Sequence, residues 1–273
     1  MDPSVFRQLL NRDPASHKYD FGHVLVIGGS PGMVGAPFLA AQAALRIGAG
    51  LVSIASTPAV INKLEKRVAE IMTIRLSENA SELMPFIKNR KVSALAIGPG
   101  MNPDFALQVI KSIVNLDLPV VIDGGALTAV QQMPDHIRSN FILTPHLGEF
   151  ARFFNQPPDN FSQAAADFAR QNKVILVLKG PPTIICDPVG KTYKNRSGGP
   201  ELATAGTGDV LSGIIAGIIA QKVEPLTAVK AAVYLHGRAG QIAAGTKTQP
   251  GVIASDVIEA IPAALKLVQT EQL

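Results

Sequence analysis

The segment Asn195-Arg196-Ser197-Gly198-Gly199-Pro200-Glu201-Leu202-Ala203-Thr204-Ala205-Gly206-Thr207-Gly208-Asp209 runs straight into the apolar stretch 210–220. Small residues ahead of an apolar helix leave main-chain N–H groups unpaired at its N-terminus, where the helix dipole favours an anion. Gly206, Thr207 and Gly208 are therefore candidates for a phosphate cradle. Asp209 is the ionised residue at that turn. A carboxylate there accepts the proton of an attacking hydroxyl while the amides stabilise charge on a transferred phosphoryl group. The alternative reading is structural: an aspartate in the first turn is favoured by the dipole alone, and the glycines simply make a turn.

Two other glycine clusters imitate nucleotide motifs and fail on spacing. Gly28-Gly29-Ser30-Pro31-Gly32-Met33-Val34-Gly35 sits where a dinucleotide fingerprint would, between a strand and a helix, but contains no G-x-G-x-x-G. The carboxylate expected about 20 residues later to hold a ribose is also missing, since the next acid after Asp20 is Glu65. Hydride transfer on such a fold is therefore not expected. The run from Gly240 to Thr248 has one residue too many before Lys247 for a phosphate loop, and it ends a helix where that loop must begin one. It reads as a helix C-terminus with Gly245 near the cap.

The elements that must position Asp209 are legible as short β-branched runs at 24–27, 51–54, 71–74, 94–97, 120–122, 141–143 and 174–178. Longer Ala/Leu-rich segments of helical spacing, such as 37–47, 104–114 and 163–170, separate many of them. The alternation predicts an α/β fold with a central, mostly parallel sheet covered by helices on both faces. A hairpin at 183–186 and 191–194, or an edge feature, precedes three C-terminal helices at 208–220, 226–244 and 255–268. Asp123 ends the run 120–122, at the carboxyl edge where ligands gather in open α/β sheets; it equally suits a helix cap.

With 273 residues, 47% of them apolar, the chain can bury a large core and is read as a single domain over 1–273. The 25 basic residues against 21 acids leave a net charge of only +4, and the cations are scattered, which argues against a nucleic-acid binder. No apolar run suits a membrane span and no export signal is read at the N-terminus. The one cysteine, Cys186, permits no internal disulfide; it reads as inert, in a reducing, cytoplasmic setting.

Gly206-Thr207-Gly208-Asp209 resembles the anion-hole and catalytic-base motif of the ribokinase-like superfamily. Further segments resemble the ADP- or ATP-dependent NAD(P)H-hydrate dehydratases: the opening from His17-Lys18 to Gly35-Ala36-Pro37, Gly98-Pro99-Gly100, Leu143 to Glu149, and Leu178-Lys179-Gly180-Pro181-Pro182-Thr183. Tyr234-Leu235-His236-Gly237 and Ala254-Ser255-Asp256 extend the similarity, which covers about residues 5–265 in order.

That resemblance implies a ribokinase-like fold and the repair of NADHX and NADPHX, the hydrated forms of the reduced nicotinamide cofactors. ADP is the implied phosphoryl donor, with Mg2+ assisting and AMP and phosphate released. Position by position, it implies that Asp209 is the base and that residues 206–208 cradle the phosphoryl, with Gly208 also touching the nucleotide. Ala36, Gly100 and His146 then line the hydrate pocket together with Asp123. Lys179, Gly180, Pro181, Pro182 and Thr183 hold the adenine nucleotide, and Glu149 serves the metal. It further implies a homotetramer, a cytoplasmic location and dependence on a separate epimerase. His236, inside an apolar helix pattern, reads as a hydrogen-bonded core residue.

The chain departs from the family's D-A-D-A-L at Gly125, from G-P-G-L-G at Met101 and Asn102, and from N-x-T-G-N-P-G within 195–201. Two rivals stand beside the dehydratase reading. One is a ribokinase-like kinase of a vitamin-precursor alcohol, which shares residues 206–209 but keeps its phosphorylated product. The other is a non-catalytic nucleotide sensor, which needs the cradle but not Asp209.

Overall fold

Seven of the short apolar runs become parallel strands because helices cover both faces of the sheet they form. In the computed structural model, which describes residues 4–154 and 156–270, these are β1 (His23–Ile27), β2 (Leu51–Ser56), β3 (Met72–Arg75), β4 (Ala94–Ile97), β5 (Val120–Ile122), β6 (Phe141–Leu143) and β7 (Ile175–Leu178). An antiparallel hairpin, β8 (Thr183–Cys186) and β9 (Thr192–Asn195), extends the β7 edge. The sheet order is β3-β2-β1-β4-β5-β6-β7-β8-β9. The expected fold class is thus observed. The ends of the single-domain reading, residues 1–3 and 271–273, lie outside the described residues.

Helices α1 (Ser4–Leu10), α2 (Gly35–Arg46) and α3 (Pro58–Leu64) open the chain on one face of the sheet. Next, α4 (Leu83–Asn89), α5 (Pro103–Ile113), α6 (Gly125–Gln132), α7 (Leu147–Ala151) and α8 (Phe161–Asn172) cover the other. The chain then returns to the first face with α9 (Thr207–Ala220), α10 (Pro225–Thr246) and α11 (Ala254–Thr270). Local signals set several of the helix starts. Asn102 accepts from the Asp104 amide at 2.8 Å with Pro103 behind it, Asn160 accepts from Gln163, and Glu224 accepts from both Leu226 and Thr227. Helix α9 is apolar on all sides and is buried almost throughout, packed between α2, α10 and the sheet. That burial fixes its N-terminus, and hence Asp209, against the sheet's carboxyl edge.

Some element bounds differ from the sequence reading. The second hairpin strand starts one residue late, at Thr192, because the Asp187 carboxylate accepts the amides of Val189 and Lys191 and keeps Lys191 in the turn. Helix α10 runs past Gly245 to Thr246, so its cap falls at Lys247. His236 is the buried, hydrogen-bonded residue that was expected: it has a backbone hydrogen bond at Thr207, its Nε2 has no partner, and burial pushes its pKa down to about 4. Cys186 is buried in the core and its thiol is pushed up to about 12 by burial, as an inert cysteine should be. Among the described residues, no helix is long and apolar enough to cross a membrane.

Candidate active site

In this strand order the chain leaves β1 toward one sheet edge and β4 toward the other, which makes the β1–β4 boundary a topological switch point. Ligand crevices in open α/β sheets form outside the carboxyl ends of the strands at such a point. Ala36 and Gly100 meet there: a Cβ on Gly100 would lie 2.8 Å from that of Ala36. Farther along the same edge, Asp123 follows β5 directly and Lys179 follows β7. The ends of β6 and β7 are joined beyond the strands. The Lys179 amide donates to the Pro145 carbonyl at 2.8 Å, and a bridge pairs His146 with Lys179. Two residues 33 positions apart are thereby held side by side.

Above this edge sits the N-terminus of α9. Gly206 has φ +90°, and a Cβ there would fall 2.6 Å from Leu39 Cδ1, so both backbone and space call for glycine. The Thr207 hydroxyl donates to the carbonyls of Leu202 and Thr204 at 2.7 and 2.9 Å, which ties the turn down and leaves the main-chain amides for an anion. Gly208 allows the closest approach: a Cβ there would be 3.3 Å from Lys179 Nζ.

A charged network lies under the turn. Lys179 Nζ donates to Asp123 Oδ1 at 2.8 Å, and Ser212 Oγ donates to Asp123 Oδ2 at 2.7 Å. Glu149 Oε2 is 3.9 Å from Lys179 Nζ and accepts the His146 amide at 2.8 Å. In return, His146 Nδ1 accepts the Glu149 amide at 3.2 Å, so the two residues cap α7 reciprocally. Burial works against the Lys179 charge, but the carboxylates of Asp123, Glu149 and Asp209 outweigh it and raise its pKa. Asp209 is pushed up to about 7, first by desolvation and then by the negative charge of Asp123; Lys179 opposes the shift. A carboxyl poised near neutrality at a helix N-terminus suits proton transfer.

Two cavities meet over this network. The larger, about 760 Å³, is bordered by Lys179, Gly180, Pro181, Pro182 and Thr183 on one side and by the loop 194–200 on the other. The smaller, about 500 Å³, is bordered by Asp123, His146, Glu149 and Asp209. Lys179, Leu202, Ala203, Thr207 and Gly208 border both, and Lys179, Thr207 and Gly208 bring the polar groups to the ridge between these two ligand-sized spaces. Thus the expected nucleotide loop and the expected base lie on opposite sides of the expected cradle. Ala36 and Gly100 border neither cavity and face each other at the switch point. Ser212 was missed from the sequence. A hydroxyl one turn past Asp209 in an otherwise apolar helix was the available signal.

A family model described as NAD(P)H-hydrate dehydratase matches residues 24–263. The bifunctional NAD(P)H-hydrate repair enzyme of Moorella thermoacetica is 39% identical over 97% of this chain, and the chain spans 53% of that enzyme's length. The ADP-dependent (S)-NAD(P)H-hydrate dehydratase of Bacillus subtilis is 32% identical over 93% of this chain and 92% of its own. Among solved structures, the Bacillus subtilis ADP/ATP-dependent NAD(P)H-hydrate dehydratase co-crystallised with ATP/Mg2+ superposes with a TM-score of 0.80 at 29% identity, over 98% of this chain and 97% of that one. A ribokinase-like superfamily protein from Enterococcus faecalis superposes at 0.84 and 28% identity, over 98% and 95%. The family match over residues 24–263 and the 32–39% identity to the repair enzyme and the dehydratase over most of this chain favour the dehydratases over the vitamin-precursor kinases. The chain belongs to the NAD(P)H-hydrate dehydratase family.

Proposed function

We propose that this protein dehydrates (6S)-NADHX and NADPHX to NADH and NADPH at the expense of ADP, releasing AMP and phosphate. The observation that carries the reading is the ridge of Lys179, Thr207 and Gly208, which separates a cavity bordered by the nucleotide loop from one containing Asp209. ADP enters the larger cavity along residues 179–183, with its terminal phosphoryl at the cradle 206–208. The hydrate enters from the side of Asp123, His146 and Asp209 and extends along the strand ends toward Ala36 and Gly100 at the switch point, beyond the cavity itself. Asp209 takes the proton of the C6 hydroxyl as its oxygen bonds to phosphorus and the bond from phosphorus to AMP breaks. The amides of residues 206–208 hold the charge on the moving phosphoryl. Phosphate then departs with the C6–O bond and a ring proton is lost, which restores the double bond. Phosphorylation is needed because hydroxide is a poor leaving group and phosphate a good one.

Magnesium fits the donor set. Glu149 and Asp209 offer hard carboxylate oxygens around the ridge. Among the described residues, no group of three or more His, Cys, Asp or Glu is arranged to hold a metal by itself. A magnesium ion here would be held by Glu149 together with nucleotide phosphate oxygens, as is usual for this cation. When bound, it neutralises charge on those oxygens.

Residues 24–263 work as one domain in a cytoplasmic homotetramer, and their reaction is linked to an epimerase activity that interconverts the hydrate epimers. The unbroken family match over residues 24–263 supports the one-domain reading, and the bifunctional relatives support the epimerase link. The test is to incubate the protein with NADHX, Mg2+ and either ADP or ATP and to follow the reduced-nicotinamide absorbance. Its recovery supports the reading and the faster nucleotide identifies the donor. Nucleotide binding without recovery, with a phosphorylated product accumulating, replaces it with a kinase.

A further inference from the structure

Lys179, Asp123 and Ser212 come from three elements far apart in sequence, yet they form one hydrogen-bonded line under the cradle. Ser212 is fully buried and Asp123 is 4% exposed. Both oxygens of the Asp123 carboxylate are occupied, one by Lys179 Nζ at 2.8 Å and the other by Ser212 Oγ at 2.7 Å. A carboxylate so committed is poorly placed to serve as a hydrogen-bond acceptor for substrate, although it borders the smaller cavity. Its partner differs. The Lys179 side chain retains 21% of its exposure, the residue borders both cavities, and its ammonium lies close enough to Gly208 that a Cβ there would be 3.3 Å away.

A free lysine has a long flexible stem, and fixing its ammonium costs rotamer entropy unless a partner holds it. Asp123 sits at the end of β5 and Ser212 inside α9, both on rigid elements. Ser212 lies one turn beyond Asp209, so the same helix that presents the base also holds the carboxylate that aims the lysine. We infer that Asp123 and Ser212 are positioning residues, which act through Lys179 by fixing its ammonium beside the terminal phosphoryl of the nucleotide at the Gly206–Gly208 turn. This gives Asp123 a role behind the phosphoryl group and not on the hydrate, and gives Ser212 a role that its place in an apolar helix does not suggest. The inference rests on the proposed nucleotide site.

The test is a pair of double-mutant cycles, Ser212→Ala with Lys179→Met and Asp123→Asn with Lys179→Met. Two readouts are taken: kcat for cofactor recovery, and the ratio of ADP to AMP affinity by calorimetry. Lys179→Met is expected to lower kcat by roughly 10²-fold, as for loss of one preorganised charge stabiliser, and to erase most of the preference for ADP. Ser212→Ala is expected to lower kcat about 3–10-fold with little change in the hydrate KM, as for one hydrogen bond loosened. In the Lys179→Met background both second substitutions should have almost no further effect, because the group they position is gone. Effects that multiply in the double variants overturn the inference, as does wild-type kcat and wild-type ADP preference in Ser212→Ala. Should Asp123→Asn fail to fold, the Ser212 cycle alone decides. If the wild type fails to restore the cofactor but binds ADP over AMP, the affinity cycle still tests the positioning role while the proposed reaction falls. A wild type without preference for ADP overturns both.

Discussion

Lys179 and Asp123, 56 residues apart in sequence, are joined by a 2.8 Å hydrogen bond between an ammonium and a carboxylate at the ends of β7 and β5. The pair spans the gap left by β6 and sets a positive charge on the ridge between the two cavities. A buried ion pair tolerates the loss of both partners better than the loss of one, because a lone buried charge has no compensation. Lys179→Met is therefore expected to cost about 3 kcal/mol of stability. Lys179→Met with Asp123→Asn should recover a good part of that loss. Urea unfolding of the two variants beside the wild type measures both.

Asp209 has a separate and simpler signature. Asp209→Asn removes the proton acceptor but leaves the cradle amides and the nucleotide loop in place. Turnover is expected to fall roughly 10²–10⁴-fold while the ADP affinity stays within a few-fold of wild type. Steady-state kinetics beside calorimetric titration checks this, and near-normal turnover removes Asp209 from the chemistry.

The raised pKa of Asp209, about 7, predicts how activity and stability depend on pH. As a base Asp209 works deprotonated, so kcat/KM should climb with pH through about 7. Its folded-state value lies above the value of about 4 for an unfolded aspartate, so between the two the folded protein holds a proton that the unfolded chain releases. This residue's contribution to stability is thus fully present below about pH 4 and is lost as pH rises through its folded value. Asp209→Asn avoids that loss, and its gain in Tm over wild type should be larger at pH 8 than at pH 5. An equal gain at both contradicts the assignment.

Gly206 carries the backbone strain of the turn. Gly206→Ala forces a Cβ to φ +90° and against Leu39 Cδ1, so about 1–3 kcal/mol of stability should be lost. The ADP affinity should fall with it, because the cradle amides shift. Thermal unfolding and calorimetry on one preparation test the coupling.

Much of the fold was legible because buried parallel strands are short β-branched runs, and 94–97, 120–122 and 141–143 matched β4, β5 and β6 to the residue. The Asp209 turn was legible for a similar reason: its chemistry is local, carried by consecutive residues at the start of one helix. What the sequence could not reveal is the line through Ser212, Asp123 and Lys179. Those contacts span 89 and 56 residues and depend on strand order and on the depth at which α9 packs, neither of which is written in any local pattern. The cap shared by His146 and Glu149 lies between these cases: its spacing is local, but a histidine is an uncommon cap, and the resemblance pointed His146 to the hydrate pocket and Glu149 to the metal.

The fate of one oxygen atom tests the proposed chemistry most directly. NADHX prepared in ¹⁸O water carries the label in its C6 hydroxyl. If that oxygen attacks the phosphoryl group and later leaves with it, the phosphate released during recovery of NADH in unlabelled water carries one ¹⁸O. Mass spectrometry of the phosphate should find the label there in full. Unlabelled phosphate, with the ¹⁸O returned to water, would mean that nucleotide cleavage and dehydration are separate events and would contradict phosphoryl transfer to the hydrate.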